Sequence, residues 1–175
     1  MPDWPHAPPH RILEPGTYIV TAGTFKKEKF FYDSIRLNLL YSLMLETAEW
    51  FEISLNAWAL MANHYHLIVS VEFSETLKKF IVSFHKNSSL RLNRLDKVEG
   101  RRVWYNYWDT RITYQKSYYG RLNYVNKNSE HHGLVYNAKE YHWCSEAWYK
   151  DHIDPAFAKT VDSFNYESIK IFDDF

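Results

Sequence analysis

The chain is poor in the residues that mark disulfide scaffolds, cysteine zinc sites and long flexible linkers. It has one cysteine, Cys144, among 175 residues, with only 5 Gly and 6 Pro. A single thiol can form neither an internal disulfide nor a multi-cysteine metal site. Apolar runs are too short to span a bilayer, and residues 1–10 lack the apolar core of a secretory signal. We therefore expect a cytoplasmic protein that does not bind a membrane.

Net charge is also absent, but the charges are unevenly distributed. The chain has 21 Lys and Arg against 21 Asp and Glu. Residues 78–127 carry 12 basic and 3 acidic side chains, so the flanking segments are acidic. A basic segment of this kind is typical of a phosphate-binding face on a neutral protein, and equally of solvated helix surfaces. Charge alone leaves both interpretations open.

Aromatic residues are what the chain has in excess, with 7 Trp, 14 Tyr and 11 Phe. Trp104, Tyr105, Tyr107 and Trp108 lie within the basic segment. Such rings can stack on the bases of a single nucleic-acid strand, or they can form the apolar side of a β-strand. Because a strand needs an apolar face, we favour the second interpretation for these four.

The order of hydrophobic patterns predicts an α+β fold. Alternating apolar and β-branched residues indicate strands at 16–24, 51–59, 66–71 and 103–112. Apolar residues at helical spacing indicate helices over about 33–49, 74–93 and 114–128. The resulting β-α-β-β-α-β-α order predicts the ferredoxin-like split βαβ fold, an antiparallel sheet with helices on one face. We expect one domain over 1–150, and an acidic C-terminal appendage over 151–175 that is not a separate domain.

The clearest chemical signal is His64-Tyr65-His66. Side chains two apart on a strand point to the same face, with Cβ atoms about 7 Å apart, so both imidazoles can converge on one divalent ion. A hard ion such as Mg²⁺ or Mn²⁺ needs oxygen ligands as well, usually from carboxylates or carboxamides. Since the chain has 9 His, the spacing alone also fits two surface histidines.

A second pair of residues lies on the last predicted helix. Tyr124 and Asn128 are four residues apart and therefore share a helical face. A helix laid across the sheet would bring Asn128 to the histidines as a ligand, with the Tyr124 hydroxyl beside it. Tyrosine becomes an effective nucleophile where a metal polarises the attacked phosphate. On spacing alone, Tyr124 could equally be one rim tyrosine among 14.

Four separated segments carry a resemblance to a known family. Residues 56–69, NAWALMANHYHLIV, are similar to a segment A-W-V-x-M-P-N-H-x-H followed by hydrophobic residues. Residues 124–135, YVNKNSEHHGLV, are similar to Y-I-x-x-N-P-V-x-x-G-L-V, and residues 141–145, YHWCS, to Y-x-W-S-S. Pro9-His10-Arg11 with the strand that follows resembles the opening of the same proteins. These are the HUH single-tyrosine transposases, and more narrowly the REP-associated tyrosine transposases. Ala62 and Ser129 stand where that family usually has proline.

The resemblance implies a metal-dependent enzyme that cuts and rejoins single-stranded DNA. It implies that His64 and His66 hold Mg²⁺ or Mn²⁺ and that Asn128 completes the metal site. Tyr124 would be the nucleophile that becomes joined to the 5′ phosphate of the cut strand. The partner would be single-stranded or hairpin DNA from a repeat. In some relatives the tyrosine helix serves the histidine pair of a second subunit, so a homodimer and a monomer both stay open.

Basic residues would hold the DNA through its phosphates. We predict this role for Lys86, Arg94, Arg121 and Lys127. Arg121 and Lys127 lie closest in sequence to Tyr124, which places them nearest the scissile strand.

Two other functions remain open on the sequence. A domesticated copy of the same fold would bind nucleic acid without cutting it, and would keep that affinity after loss of Tyr124 and of metal. A small metallohydrolase could instead use His64 and His66 together with His131 or His132. It would turn over substrate without any covalent adduct between protein and DNA.

Overall fold

The predicted strands and helices appear in the predicted order in the computed structural model, which describes residues 15–166, 169, 171 and 173–175. The strands are β1 (Gly16–Thr24), β2 (Ser54–Leu60), β3 (His64–Val71) and β4 (Trp104–Ile112). The helices are α1 (Ser34–Trp50), α2 (Ser74–Asp96), α3 (Gln115–Asn126), α4 (Asn128–His131), α5 (Glu146–His152) and α6 (Pro155–Asp162). The segment Pro9-His10-Arg11 lies outside the described residues.

One four-stranded antiparallel sheet organises the fold. Its strand order is β2-β3-β1-β4, with β1 paired to both β3 and β4. The two central strands, β1 and β3, are buried along almost their whole length. This burial is expected because neighbouring strands flank both of them and helices cover both faces of the sheet. This order, with helices connecting β1 to β2 and β3 to β4, is the ferredoxin-like split βαβ topology. The predicted α+β class is confirmed.

Helices α1 and α2 share one face of the sheet, as predicted for the two βαβ units. Leu40 of α1 and Phe84 of α2 are fully buried there with Tyr65 of β3. Helix α1 begins after Asp33, whose carboxylate accepts the backbone N–H of Arg36 at 2.9 Å, the usual N-cap interaction. The Asp33 cap therefore determines where helix α1 begins, whereas packing against the core determines which face of the helix is buried.

Helix α3 adds a layer on the opposite face of the sheet, so the helices are not confined to the one face that the sequence pattern predicts. Leu122 and Val125 are buried there against Ile19 of β1 and Ile68 of β3. Two-residue alternation makes this arrangement feasible, because each central strand presents apolar side chains to both faces. The sheet is thus sandwiched between helices, and α3 lies over the face to which His64 and His66 project.

Several element boundaries differ by a few residues from the predicted ones. Strand β2 begins at Ser54 rather than 51, because Glu52 adopts a left-handed φ of 53° and turns the chain out of α1. Strand β3 begins at His64 and so contains both histidines. Helix α3 ends at Asn126, and Lys127 separates it from α4.

The described part of the chain beyond residue 150 packs onto α3. Ala158 and Val161 of α6 are buried in the same apolar cluster as Val125. The boundary at residue 150 between domain and appendage stays a prediction. Within the described residues, no helix combines the length and apolar character that crossing a membrane requires.

Candidate active site

Strand β3 presents His64 and His66 to the face that α3 covers. Both imidazoles are buried, and their ring centroids lie 5.3 Å apart. Tyr65, between them in sequence, points to the other face, where its hydroxyl contacts His85 Nε2 at 2.8 Å. The alternation of the strand therefore brings the two histidines together, as their spacing predicts.

The Nδ1 atom of each histidine is engaged by a neighbouring side chain. His64 Nδ1 lies 2.9 Å from Asn63 Oδ1, a carbonyl oxygen that can only accept, so Nδ1 carries the proton. His66 Nδ1 lies 2.7 Å from the hydroxyl of Thr21, its cross-strand partner on β1. Partners of this kind orient metal-binding imidazoles and leave Nε2 free to act as the ligand atom.

The junction of α3 and α4 brings Tyr124 and Asn128 to the same place. The Tyr124 ring centroid is 5.4 Å from that of His66, and the side chain is 5% exposed. Asn128 is fully buried and close enough to His64 to influence its pKa, yet neither polar atom of its side chain completes a well-formed hydrogen bond among the described residues; the same holds for His64 Nε2. Buried polar atoms without partners are rare in folded proteins, and a cation bound between them would satisfy both side chains.

Asp173 enters this site from the C-terminal segment. Its Oδ1 lies 3.5 Å from His64 Nε2 and 3.2 Å from His66 Nε2. The Tyr124 hydroxyl donates a hydrogen bond to Oδ2 of the same carboxylate. His64, His66 and Asp173 form a group whose potential metal-ligand atoms all lie within 4.8 Å of one another. Asp173 could not be predicted from the sequence, because no spacing connects residue 173 with the histidines of β3.

Two more histidines line the site at the end of α4. His132 Nε2 lies 3.1 Å from each oxygen of Asp173, and its ring centroid is 4.8 Å from that of His64. His131 Nε2 is farther away, 3.9 Å from Asp173 Oδ2. The sequence indicated these residues only as alternative ligands of a metallohydrolase.

A family comparison agrees with this geometry. The sequence model described as "Transposase IS200 like" matches residues 17–131, which include the histidine pair, Tyr124 and Asn128. The chain belongs to the IS200-like transposase family. The predicted resemblance to single-tyrosine transposases is confirmed at the level of the family.

Solved transposase structures are similar to this chain to different extents, and one of them shares its fold. A REP-associated tyrosine transposase bound to a REP hairpin superposes with a TM-score of 0.62, covering 87% of each chain at 15% sequence identity. A candidate transposase from Deinococcus radiodurans R1 has a TM-score of 0.48 at 14% identity, covering 62% of this chain and 87% of that one. A search of curated proteins found no match.

Two histidines of the transposase site, His64 and His132, are held neutral by their surroundings. Burial lowers the pKa of His64 well below its usual value; the proximity of His66 and His132 adds to this, and Asn128 acts against it. Burial also lowers the pKa of His132 to about 4, with His66 and His131 contributing. Both imidazoles are therefore neutral near pH 7 and can offer a lone pair or an N–H donor.

The last residues of the chain cover the site. The Phe175 ring stacks on His64, with centroids 4.5 Å apart and planes 6° from parallel. Asp174 Oδ1 lies 3.2 Å from the ammonium group of Lys27. A cavity of about 360 Å³ opens beside this cover, and its lining includes His64, His132 and Phe175. The site therefore has an opening to the surface next to the histidines.

The four basic residues predicted to bind DNA lie in two separate places. Lys86 and Arg94 are exposed on α2, on the side of the sheet opposite to Tyr124. Arg121 lies within α3 and Lys127 directly follows it, and both are only partly exposed. The structure thus does not gather the four into one surface, and their contact with DNA stays a prediction.

Lys127→Met is expected to destabilise the protein. Lys127 Nζ lies 2.9 Å from Oε1 of Glu146, whose side chain is 1% exposed. Although burial works against it, the hydrogen bond and charge of Glu146 raise the pKa of Lys127. We expect a loss of roughly 1–3 kcal/mol in the free energy of unfolding, because a buried carboxylate loses its nearest cation while Lys150 stays 3.9 Å away. Thermal or urea unfolding measures this.

Lys86→Met is the matched control, since Lys86 is exposed on α2. Its unfolding free energy should change by less than about 0.5 kcal/mol. Unchanged stability of Lys127→Met, together with a smaller salt dependence of DNA binding, would instead establish Lys127 as a phosphate contact.

Proposed function

We propose that this IS200-like transposase cuts and rejoins single-stranded DNA through a covalent bond between Tyr124 and a 5′ phosphate, with a divalent metal held at His64 and His66. One observation carries the proposal. The Tyr124 hydroxyl and the Nε2 atoms of both histidines converge on a single carboxylate, that of Asp173. A scissile phosphate is also a small anion, and its place would be between the same groups.

The donor set fits a divalent metal. His64 and His66 would bind it through Nε2, because their Nδ1 atoms are engaged, and the buried carboxamide of Asn128 would add an oxygen. Asp173 is near enough to serve as a further ligand or to give way to the phosphate. Imidazole and carboxamide ligands suit Mn²⁺, and the oxygen ligands also suit Mg²⁺. When bound, the metal would polarise the phosphate and stabilise the charge that develops on it.

Tyr124 would perform both halves of the reaction. Its oxygen bonds to phosphorus while the bond from phosphorus to the 3′ oxygen breaks. The phenolic proton passes to solvent water, and the leaving 3′ oxygen takes up a proton from solvent to become a hydroxyl. The phosphotyrosine bond conserves the phosphodiester, so a 3′ hydroxyl of another strand can attack it and release Tyr124. This second attack is the joining step. A metallohydrolase would instead transfer the phosphoryl group to water.

The proposed substrate is single-stranded DNA that contains a hairpin. The similar structure at a TM-score of 0.62 is that of a REP-associated tyrosine transposase bound to a REP hairpin. Tyr124 lies beside the histidine pair of its own chain, which supports a site assembled within one subunit. A homodimer is therefore not required for the first cleavage.

Incubation of the purified protein with a 3′-labelled hairpin oligonucleotide from its own flanking DNA and Mn²⁺ or Mg²⁺ tests this function. We expect a labelled band on a denaturing gel at the mass of the protein plus a DNA fragment, because the labelled fragment that carries the 5′ phosphate becomes covalently attached to Tyr124. EDTA should abolish the band. Cleavage without an adduct would favour the metallohydrolase, and binding of the oligonucleotide without cleavage would favour the domesticated DNA-binding protein.

A further inference from the structure

His132 stands apart from the residues that the family resemblance assigns, yet it makes the most symmetrical contact in the site. Its Nε2 lies 3.1 Å from both oxygens of Asp173. One of these oxygens faces the histidine pair of β3, and the other accepts the Tyr124 hydroxyl. A donor at this position therefore faces an anion placed between the metal ligands and the nucleophile.

The orientation of His132 is determined by its surroundings. Its backbone N–H donates to the carbonyl of Asn128 at 3.0 Å, so His132 caps the end of the helix α4 that begins at Asn128. Gly133 follows with a left-handed φ of 66°, which ends the helical turn immediately after His132. The imidazole packs against the rings of His64 and His131, with centroids 4.8 and 5.4 Å away. With a side chain 26% exposed, His132 lies where the cavity meets the site.

The contact pattern separates His132 from the candidate metal ligands. The group of ligand atoms that lie within 4.8 Å of one another includes His64 and His66 but not His132. His132 Nε2 instead contacts both oxygens of the Asp173 carboxylate. We infer that His132 is a catalytic residue that donates a hydrogen bond from Nε2 to a nonbridging oxygen of the scissile phosphate, an inference that rests on the proposed tyrosine chemistry. Because charge accumulates on these oxygens during phosphoryl transfer, such a donor stabilises the transition state more than the bound substrate.

His132→Ala tests the role in cleavage. At saturating DNA and metal, the single-turnover rate of adduct formation should fall about 100-fold, the usual effect of losing one preorganised donor. His132→Gln should recover part of the rate, because its amide N–H can replace the imidazole N–H. His152→Ala is the comparison, and its rate should change less than about threefold, since His152 is exposed on α5 and its Nδ1 contacts the carbonyl of Trp148 rather than any residue of the site.

The dependence of the rate on metal concentration distinguishes this role from metal binding. The metal concentration at half-maximal rate should be the same for His132→Ala and the wild type. Recovery of the wild-type rate at high metal would overturn the inference and make His132 a ligand. A rate unaffected by His132→Ala would overturn it as well.

A binding measurement decides the inference even if the wild type forms no adduct. In Asp173→Ala the carboxylate is removed, and inorganic phosphate is added while the imidazole nitrogens are followed by NMR. We expect a saturable shift of the His132 Nε2 resonance. No shift would show that His132 does not bind phosphate, whereas a shift without any adduct would refute the tyrosine chemistry and leave His132 as a phosphate-binding residue.

Discussion

Tyr124→Phe is expected to abolish the covalent adduct and to reduce cleavage by at least about 10,000-fold, to the background of the assay. Removal of the nucleophile from an enzyme that uses covalent catalysis has effects of this size. The substitution deletes one oxygen and keeps the ring, which packs against His66, His131 and Tyr166. The fold and the affinity for DNA should therefore persist. Adduct formation on denaturing gels and DNA binding by fluorescence anisotropy measure the two properties separately.

Other tyrosines near Tyr124 provide the controls for this prediction. Tyr166 has its ring centroid 5.8 Å from that of Tyr124, and Tyr118 accepts a hydrogen bond from Asn56 on β2. Tyr166→Phe and Tyr118→Phe should each keep the adduct. An adduct that persists in Tyr124→Phe and disappears in Tyr118→Phe would transfer the nucleophile to Tyr118 and contradict the proposed mechanism.

His66→Ala is expected to weaken binding of Mn²⁺ by at least about 100-fold and to eliminate the adduct at ordinary metal concentrations. Even the loss of a residue that only supports a metal ligand lowers metal affinity by roughly 10–100-fold. The loss of His66, a candidate ligand itself, should lower it at least as much. His66 is fully buried, so its truncation also leaves a cavity and lowers stability. Calorimetric titration with Mn²⁺ on the folded variant separates these two effects.

Thr21→Val gives a version of this experiment that keeps the shape of the site. It removes the hydroxyl that lies 2.7 Å from His66 Nδ1 but not the ligand itself. We expect metal affinity to fall by roughly 10–100-fold, with activity recovered at high metal. His85→Gln is the control, because His85 contacts β3 from the other face of the sheet through Tyr65. Undiminished Mn²⁺ binding in both His66→Ala and Thr21→Val would exclude the proposed metal site.

Features that depend on neighbouring residues could be predicted from the sequence. Alternation on β3 places His64 and His66 on one face. Helical periodicity locates α1, α2 and α3 to within a few residues, and Asp33 marks the start of α1. The four-residue spacing of Tyr124 and Asn128 survives the break at Lys127, since both side chains reach the histidine pair. These features follow from backbone geometry, which the local sequence largely determines.

Only the tertiary structure decided which distant residues meet. The pairing register of β1 and β3 sets Thr21 opposite His66. Packing of α5 brings buried Glu146 to Lys127, which the sequence indicated as a DNA contact. The path of the C-terminal segment brings Asp173 between Tyr124 and the histidines. Each contact joins residues far apart in the chain, and no periodic pattern records it, because it arises from the way whole elements pack against one another. The sequence thus determined the fold class and the residue types of the site, while packing determined what surrounds them.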